Sequence, residues 1–390
     1  MHAALISTLV AASISTAMAG PREQAKRIHD RIAGVPPTAA VLDDMEADVR
    51  AGRALDAAYT AMENSAFYNV TLKNFATPWT NEEQTVFAPL NDYTATVIGM
   101  VRDDKPFNEL LSANIIYVGA SGVVPTAYSN TNNNHYVELE ERNIDLSDKT
   151  KLVERTQTSV TGLAAEATAG VITTRAAAKA FFIDGTNRAM FRFTLLNHLC
   201  VDMEQIKDNT RPNDRIRQDV ARSPGGDSRI FMNACMGCHA GMDPMVQAYA
   251  YYNYQYDVNS DPSGTNGQLV YTAGVVQPKN LINANNFPYG YVTKDDNWVN
   301  YWRKGPNDFL GWSNSRPGTG YGAKSLGQEL GNTRAFASCQ VKKVFKAVCL
   351  REPSDSTDRS TVDTITNSFI SSNYKLKQVF AETANYCKGE

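Results

Sequence analysis

The stretch Cys235-Met236-Gly237-Cys238-His239 constrains this chain more than any other. Two thiols three residues apart, followed at once by a histidine, form the attachment signature of a c-type haem. The spacing has a physical reason. On a helix Cys235 and Cys238 lie about one turn apart, so both sulfurs reach the two vinyl groups on one edge of a porphyrin. His239 then takes one axial site on the iron. A zinc site would need a second ligand pair with matching spacing, and none is visible. A thioredoxin-like CxxC belongs at a strand-to-helix turn of a βαβ pattern, which this region lacks. These residues predict one covalent haem c, with zinc binding and thiol redox chemistry as the alternatives.

The rest of the composition is compatible with that reading. A chain of 390 residues is long enough for two or three domains. The net charge of −3 encodes no general attraction to nucleic acid or to anionic membranes, so nucleic acid is not an expected partner. Residues 3–19 are small and apolar, and Ala17-Met18-Ala19 supplies a small-x-small cleavage pattern before Gly20. This predicts an export signal over residues 1–19, although His2 is the sole basic candidate ahead of the apolar run; the alternative is a buried N-terminal helix. Export suits the haem, because CxxCH maturation takes place outside the bacterial cytoplasm. The expected location is periplasmic or extracellular. No later run is long and apolar enough to predict a membrane span.

Four cysteines remain, an even number in an oxidising compartment: Cys200, Cys339, Cys349 and Cys387. If residues 338–350 form one helix, Cys339 and Cys349 are about 15 Å apart along it, beyond disulfide reach. A bridge is therefore expected to involve Cys387, with Cys349 the favoured partner. Four buried reduced thiols are the alternative.

Along the chain the patterns predict a mainly α protein with long irregular loops and helical haem-binding domains. Residues 20–119 read as short amphipathic helices. Ile28 and Ile32 sit one turn apart, Pro36-Pro37 breaks the run, and Thr38 caps a helix bearing Val41, Leu42, Met45 and Val49. Thr80 with Glu83 reads as a capping box opening a further helix, and Pro106 as the start of the helix carrying Leu110 and Leu111. Residues 120–256 form the haem-bearing region: 120–150 loop-like, about 161–206 helical, and 207–229 polar and turn-rich. Residues 257–335, rich in Gly, Asn and Trp, are expected to hold little regular structure, and 336–390 return to helix.

The motif in its setting resembles the single-haem module of the Planctomycete-type cytochrome C families. There CxxCH is followed by x-x-Met-Asp-Pro and an aromatic, acidic stretch. The matching residues here are Cys235, Cys238, His239, Met242, Asp243 and Pro244, then Tyr249, Tyr251, Tyr252, Tyr254, Tyr256 and Asp257. Gly170-Val171-Ile172-Thr173, Asn187-Arg188 and Leu199-Cys200 are similar to the region those families place before the haem. Arg27-Ile28 to Thr38 is similar to their companion helical region, and Phe345 to Pro353 to their closing module. The resemblance implies a secreted, mainly helical haem protein and no established reaction.

The sixth iron ligand decides what such a haem does: two protein ligands favour electron transfer, and an open position favours binding or activating small molecules. Met242 and Met245 follow His239 too closely to reach the opposite face and read as packing. His198 and His135 are the candidate second axial ligands, with a distant methionine or an open, water-bound site as the alternatives, while His29 reads as a surface residue. Arg211, Arg215, Arg217, Arg222 and Arg229 read either as partners for the haem propionates or as a solvated face interleaved with Asp214, Asp219 and Asp227. The tyrosine cluster reads foremost as aromatic core. Asp257-x-Asn259-x-Asp261 starts like a calcium loop, but Pro262 and Gln268 stand where an EF-hand needs glycine and an acidic ligand. Three functions follow: a secreted monohaem cytochrome exchanging electrons with other redox proteins or cytochromes, within a larger assembly; an enzyme with an open axial site for peroxide, oxygen or a small substrate; or an assembly subunit in which haem contributes structure.

Overall fold

The structure, a computed structural model, describes residues 19–389. The export signal expected over residues 1–19 therefore lies, but for Ala19, outside the described residues.

The chain is mainly helical. In the N-terminal third α1 (Pro21–Ala33), α2 (Ala39–Arg50) and α3 (Ala54–Met62) pack on one another. The predicted spacing sets their inner faces: Ile28, Ile32, Met45 and Val49 are buried. The Thr38 hydroxyl accepts from the Val41 amide as the cap of α2. Then follow α4 (Asp92–Arg102), α5 (Asn134–Glu141), α6 (Arg175–Phe181), α7 (Arg188–Leu199) and α8 (Met236–Val246). The chain closes with α9 (Gly322–Gly331), α10 (Arg334–Cys349), α11 (Ser356–Ser371) and α12 (Leu376–Tyr386). α12 returns to pack on α1 and α3, where Arg27 and Arg31 donate to the carbonyls of Lys388 and Cys387.

Three antiparallel strand pairs decorate the helices: β1 (Ile116–Gly119) with β2 (Leu152–Arg155), β3 (Tyr252–Tyr256) with β4 (Gly267–Tyr271), and β5 (Asn297–Val299) with β6 (Thr319–Tyr321). One continuous apolar core runs from Ala25 to Ala384 and draws on every region of the described chain. A second, small cluster of Ile216, Phe231, Met236 and Ala240 lies beside the cysteine motif.

Two disulfides fasten α10, one in its second turn and one at its last residue. Cys339 bridges to Cys200 at the end of α7, and Cys349 to Cys387 just beyond α12.

Several local expectations need correction. No helix opens at Thr80: its hydroxyl donates to the Thr77 carbonyl, Asn81 organises a turn by accepting from the Thr85 amide, and Gln84 adopts a left-handed conformation (φ 52°). The helix begins instead at Asp92, where Asn91 accepts from the Thr94 amide. Pro106 precedes a single 3-10 turn, Phe107–Leu111. The loop expected over 120–150 contains α5, whose Tyr136 and Leu139 bury one face just after a run of asparagines that masks the pattern. Residues 257–335 carry β4, β5, β6 and α9.

Candidate functional site

Asp227 opens the segment by accepting from the Arg229 amide. One short turn (Ser228–Ile230) leads into a π-helical stretch, Phe231–Cys235, and then into α8. Such wide turns are uncommon and recur at functional sites. Here the turn places Cys235 at the N-terminal flank of α8, with Cys238 three residues on.

Both thiols are half-buried and unbridged, whereas the other four cysteines are oxidised. Burial pushes the Cys238 thiol up, and its sulfur lies 3.5 Å from the Met203 carbonyl. Among the described residues, no group of three or more His, Cys, Asp and Glu side chains is arranged to hold a metal ion.

The helix that carries the motif is wedged tightly in place. Met236 and Ala240 enter the small apolar cluster, and Met242, Met245 and Val246 enter the main core. Gly237 faces Asn209 and Lys207, and Gly241 lies on the Trp302 indole, where an added Cβ would sit 1.9 Å from Nε1. The Gly241→Ala variant is therefore expected to lose about 1–3 kcal/mol, read as a lower thermal midpoint.

The imidazole of His239 is anchored from behind. Its Nδ1 lies 3.1 Å from Oδ1 of Asp243, one turn along the same helix. Asp243 is fully buried and meets three further donors: Arg188 Nε at 2.7 Å, Arg188 Nη2 at 2.9 Å and the Arg217 amide at 3.1 Å. The other edge of the Arg188 guanidinium grips Asp219 through two hydrogen bonds. The buried Arg217 guanidinium reaches Asn280 and the Thr186 carbonyl, and burial lowers it to about 10. Burial opposes ionisation of Asp243, but Arg188, His239 and Arg217 together hold it well below the ordinary carboxylate range. An ionised carboxylate only accepts, so Nδ1 is the protonated nitrogen. Nε2 has no hydrogen-bond partner among the described residues.

Asp219 behaves in the same direction. Burial raises it, and Arg188 more than offsets this, so the folded value is depressed. Its contribution to stability is present above the unfolded value of about 3.9 and is lost as pH falls through the lower folded value. Urea unfolding is expected to show stability falling below about pH 4, with a smaller fall in Asp219→Asn.

The other predicted residues lie elsewhere. His198 is fully buried in α7, its Nε2 2.6 Å from the Tyr93 hydroxyl and its ring among Trp79, Tyr93 and Phe336. His135 uses both nitrogens, Nδ1 toward the Thr126 carbonyl at 2.7 Å and Nε2 accepting from the Gly119 amide at 2.9 Å. Neither ring is brought to the motif. His29, expected at the surface, is buried, with Nδ1 2.9 Å from the Val35 carbonyl.

The arginines divide in a way neither expectation captured. Arg217 belongs to the buried network, Arg215 reaches the Asn297 carbonyl and Arg211 pairs with Asp208. Arg222 donates to the carbonyls of Val220 and Ile216 and stacks between Phe231 and Phe287. Arg229, paired with Asp227, is the highly exposed one of the five. Tyr249, Tyr251, Tyr252 and Tyr254 are buried, as core aromatics should be. Asp257 and Asp261 lie in the β3–β4 turn, accepting from its own Asn259, Ser260, Ser263 and Asn266.

The residues present fit a covalently attached porphyrin. Two free thiols share one helical turn, an imidazole holds its outer nitrogen unpartnered, and exposed Ile230 and Met232 supply apolar surface just ahead of the first thiol. The anchoring group behind the histidine was missed in sequence, although a histidine and an aspartate four apart on a helix share a face.

No protein-family model, curated protein or solved structure matches this chain.

Proposed function

We propose that this chain is a secreted monohaem c-type cytochrome of the Planctomycete-type kind, exchanging electrons with another redox protein within a larger assembly. The observation that carries the reading is the union of two unbridged thiols with a histidine whose Nδ1 is fixed by a buried carboxylate. A carboxylate–histidine pair of this form is the usual support of a metal-bound imidazole. Cys235 and Cys238 would tether the haem through thioethers, and His239 Nε2 would hold its iron. When bound, the haem supplies a one-electron iron couple. The chain's own part is to hold the imidazole rigidly on α8 and to keep the motif at the surface, within reach of a partner.

A second reading, an open-site haem enzyme, draws on a specific observation. His29, His135 and His198 are each buried with a ring nitrogen hydrogen-bonded within its own surroundings, which supports an open second axial position. A reduced-minus-oxidised spectrum with ligand challenge separates the two. A low-spin spectrum unmoved by cyanide or carbon monoxide supports the carrier; a high-spin one that shifts with them supports the open site. A spectrum without haem bands removes both.

A further inference from the structure

The network behind His239 is more elaborate than attachment requires. Asp243 is enclosed by four donors, two of them from one guanidinium. A carboxylate held on both oxygens by a planar fork cannot swing about its own bond. Arg188 is held in turn on its far edge by Asp219, and Asn187, immediately before it, is anchored by its amide to the carbonyls of Tyr249 and Tyr252. α7 and α8 are thereby locked together at the histidine, and the imidazole has one hydrogen-bonded orientation open to it.

We infer that Asp243 and Arg188 are positioning residues that fix His239 as the Nδ1-protonated tautomer and make its Nε2 a strongly donating ligand, biasing the site toward oxidised iron. The inference rests on the haem reading and adds to it the direction of the redox tuning. A hydrogen bond from a ligating histidine to a carboxylate raises the basicity of the ligand. A more basic nitrogen stabilises the more positive oxidation state, and Arg188 balances the charge of the carboxylate while holding it in place. The midpoint potential is set low by residues that never touch the iron.

The test uses the full mature chain and two variants, Asp243→Asn and Arg188→Lys. The lysine variant keeps a cation and loses the fork, so it serves should the asparagine variant fail to fold. At fixed pH the expected change is on the order of tenfold in the ferric-to-ferrous balance, a rise in midpoint potential of about 59 mV for a one-electron couple. The iron–histidine stretching frequency of the ferrous form is expected to fall in parallel, a change that a merely structural role would not produce. Haem-loaded variants with native potential and native frequency would overturn the inference while leaving the cytochrome reading intact. If the purified chain carries no haem, the cytochrome reading fails instead. The nitrogen-15 spectrum of His239 then decides the positioning claim: protonated Nδ1 in the native chain and a tautomer mixture in the variants support it, and one tautomer throughout overturns it.

Discussion

Replacing Asp243 with leucine is expected to cost about 3–5 kcal/mol of folding stability, the loss associated with stripping one partner from a buried charge cluster. Asp243 is fully buried and accepts from His239, Arg188 and the Arg217 amide. Its removal leaves the buried Arg217 amide unpaired and leaves two guanidiniums, the half-buried Arg188 and the buried Arg217, with Asp219 as their remaining carboxylate. Asparagine helps little, because an amide has a single oxygen acceptor and directs its own N–H groups at other donors. Urea unfolding monitored by far-ultraviolet dichroism gives the value. Glu83→Gln, at an exposed position, is the control and is expected to leave the midpoint unchanged. A midpoint for Asp243→Leu equal to the native one would mean that the cluster contributes nothing to the fold.

Removing the Cys200–Cys339 bridge is expected to have an effect of similar size. The two residues are 139 apart in sequence, and in the chain-entropy model a loop of that length corresponds to about 5 kcal/mol. The bridge joins the end of α7, the helix that begins with Arg188, to α10 in the main core. Its loss acts on the unfolded chain and leaves native packing largely intact. The double variant Cys200→Ser/Cys339→Ser should unfold at markedly lower urea than the native chain under non-oxidising, non-reducing conditions. Adding reductant to the native chain should lower stability further, because it also opens Cys349–Cys387, whose shorter separation of 38 predicts about 4 kcal/mol. Insensitivity to reductant would show that neither bridge forms.

The helical character was readable because Ile28, Ile32, Met45 and Val49 follow the period of a helix and Thr38 is a strong cap. The expectations failed where a local rule competed with packing. Thr80 and Glu83 satisfy a capping pattern, yet no apolar face follows them to bury, and Asn91 caps the real helix. α5 lay behind a polar run although Tyr136 and Leu139 mark its inner face. At the site, the motif announced two thiols and a histidine but not what stands behind them. Arg188, Asp219 and Arg217 are separated from His239 by 20 to 51 positions in sequence, and only the packing of α7 and of the segment around 217–219 against α8 brings them together. Nothing local distinguishes Arg217, which is buried, from Arg229, which is exposed. Burial of His198 and His135 serves hydrogen bonds to Tyr93, Thr126 and Gly119, a role that sequence position does not reveal.

Thioether attachment adds the mass of the haem to the chain, and a mass measurement reads it directly. The mature chain, produced in a host that matures c-type cytochromes, should be coloured and heavier than its polypeptide by one haem. That mass should survive denaturation and disappear in Cys235→Ala/Cys238→Ala. A colourless product at the polypeptide mass would contradict the account.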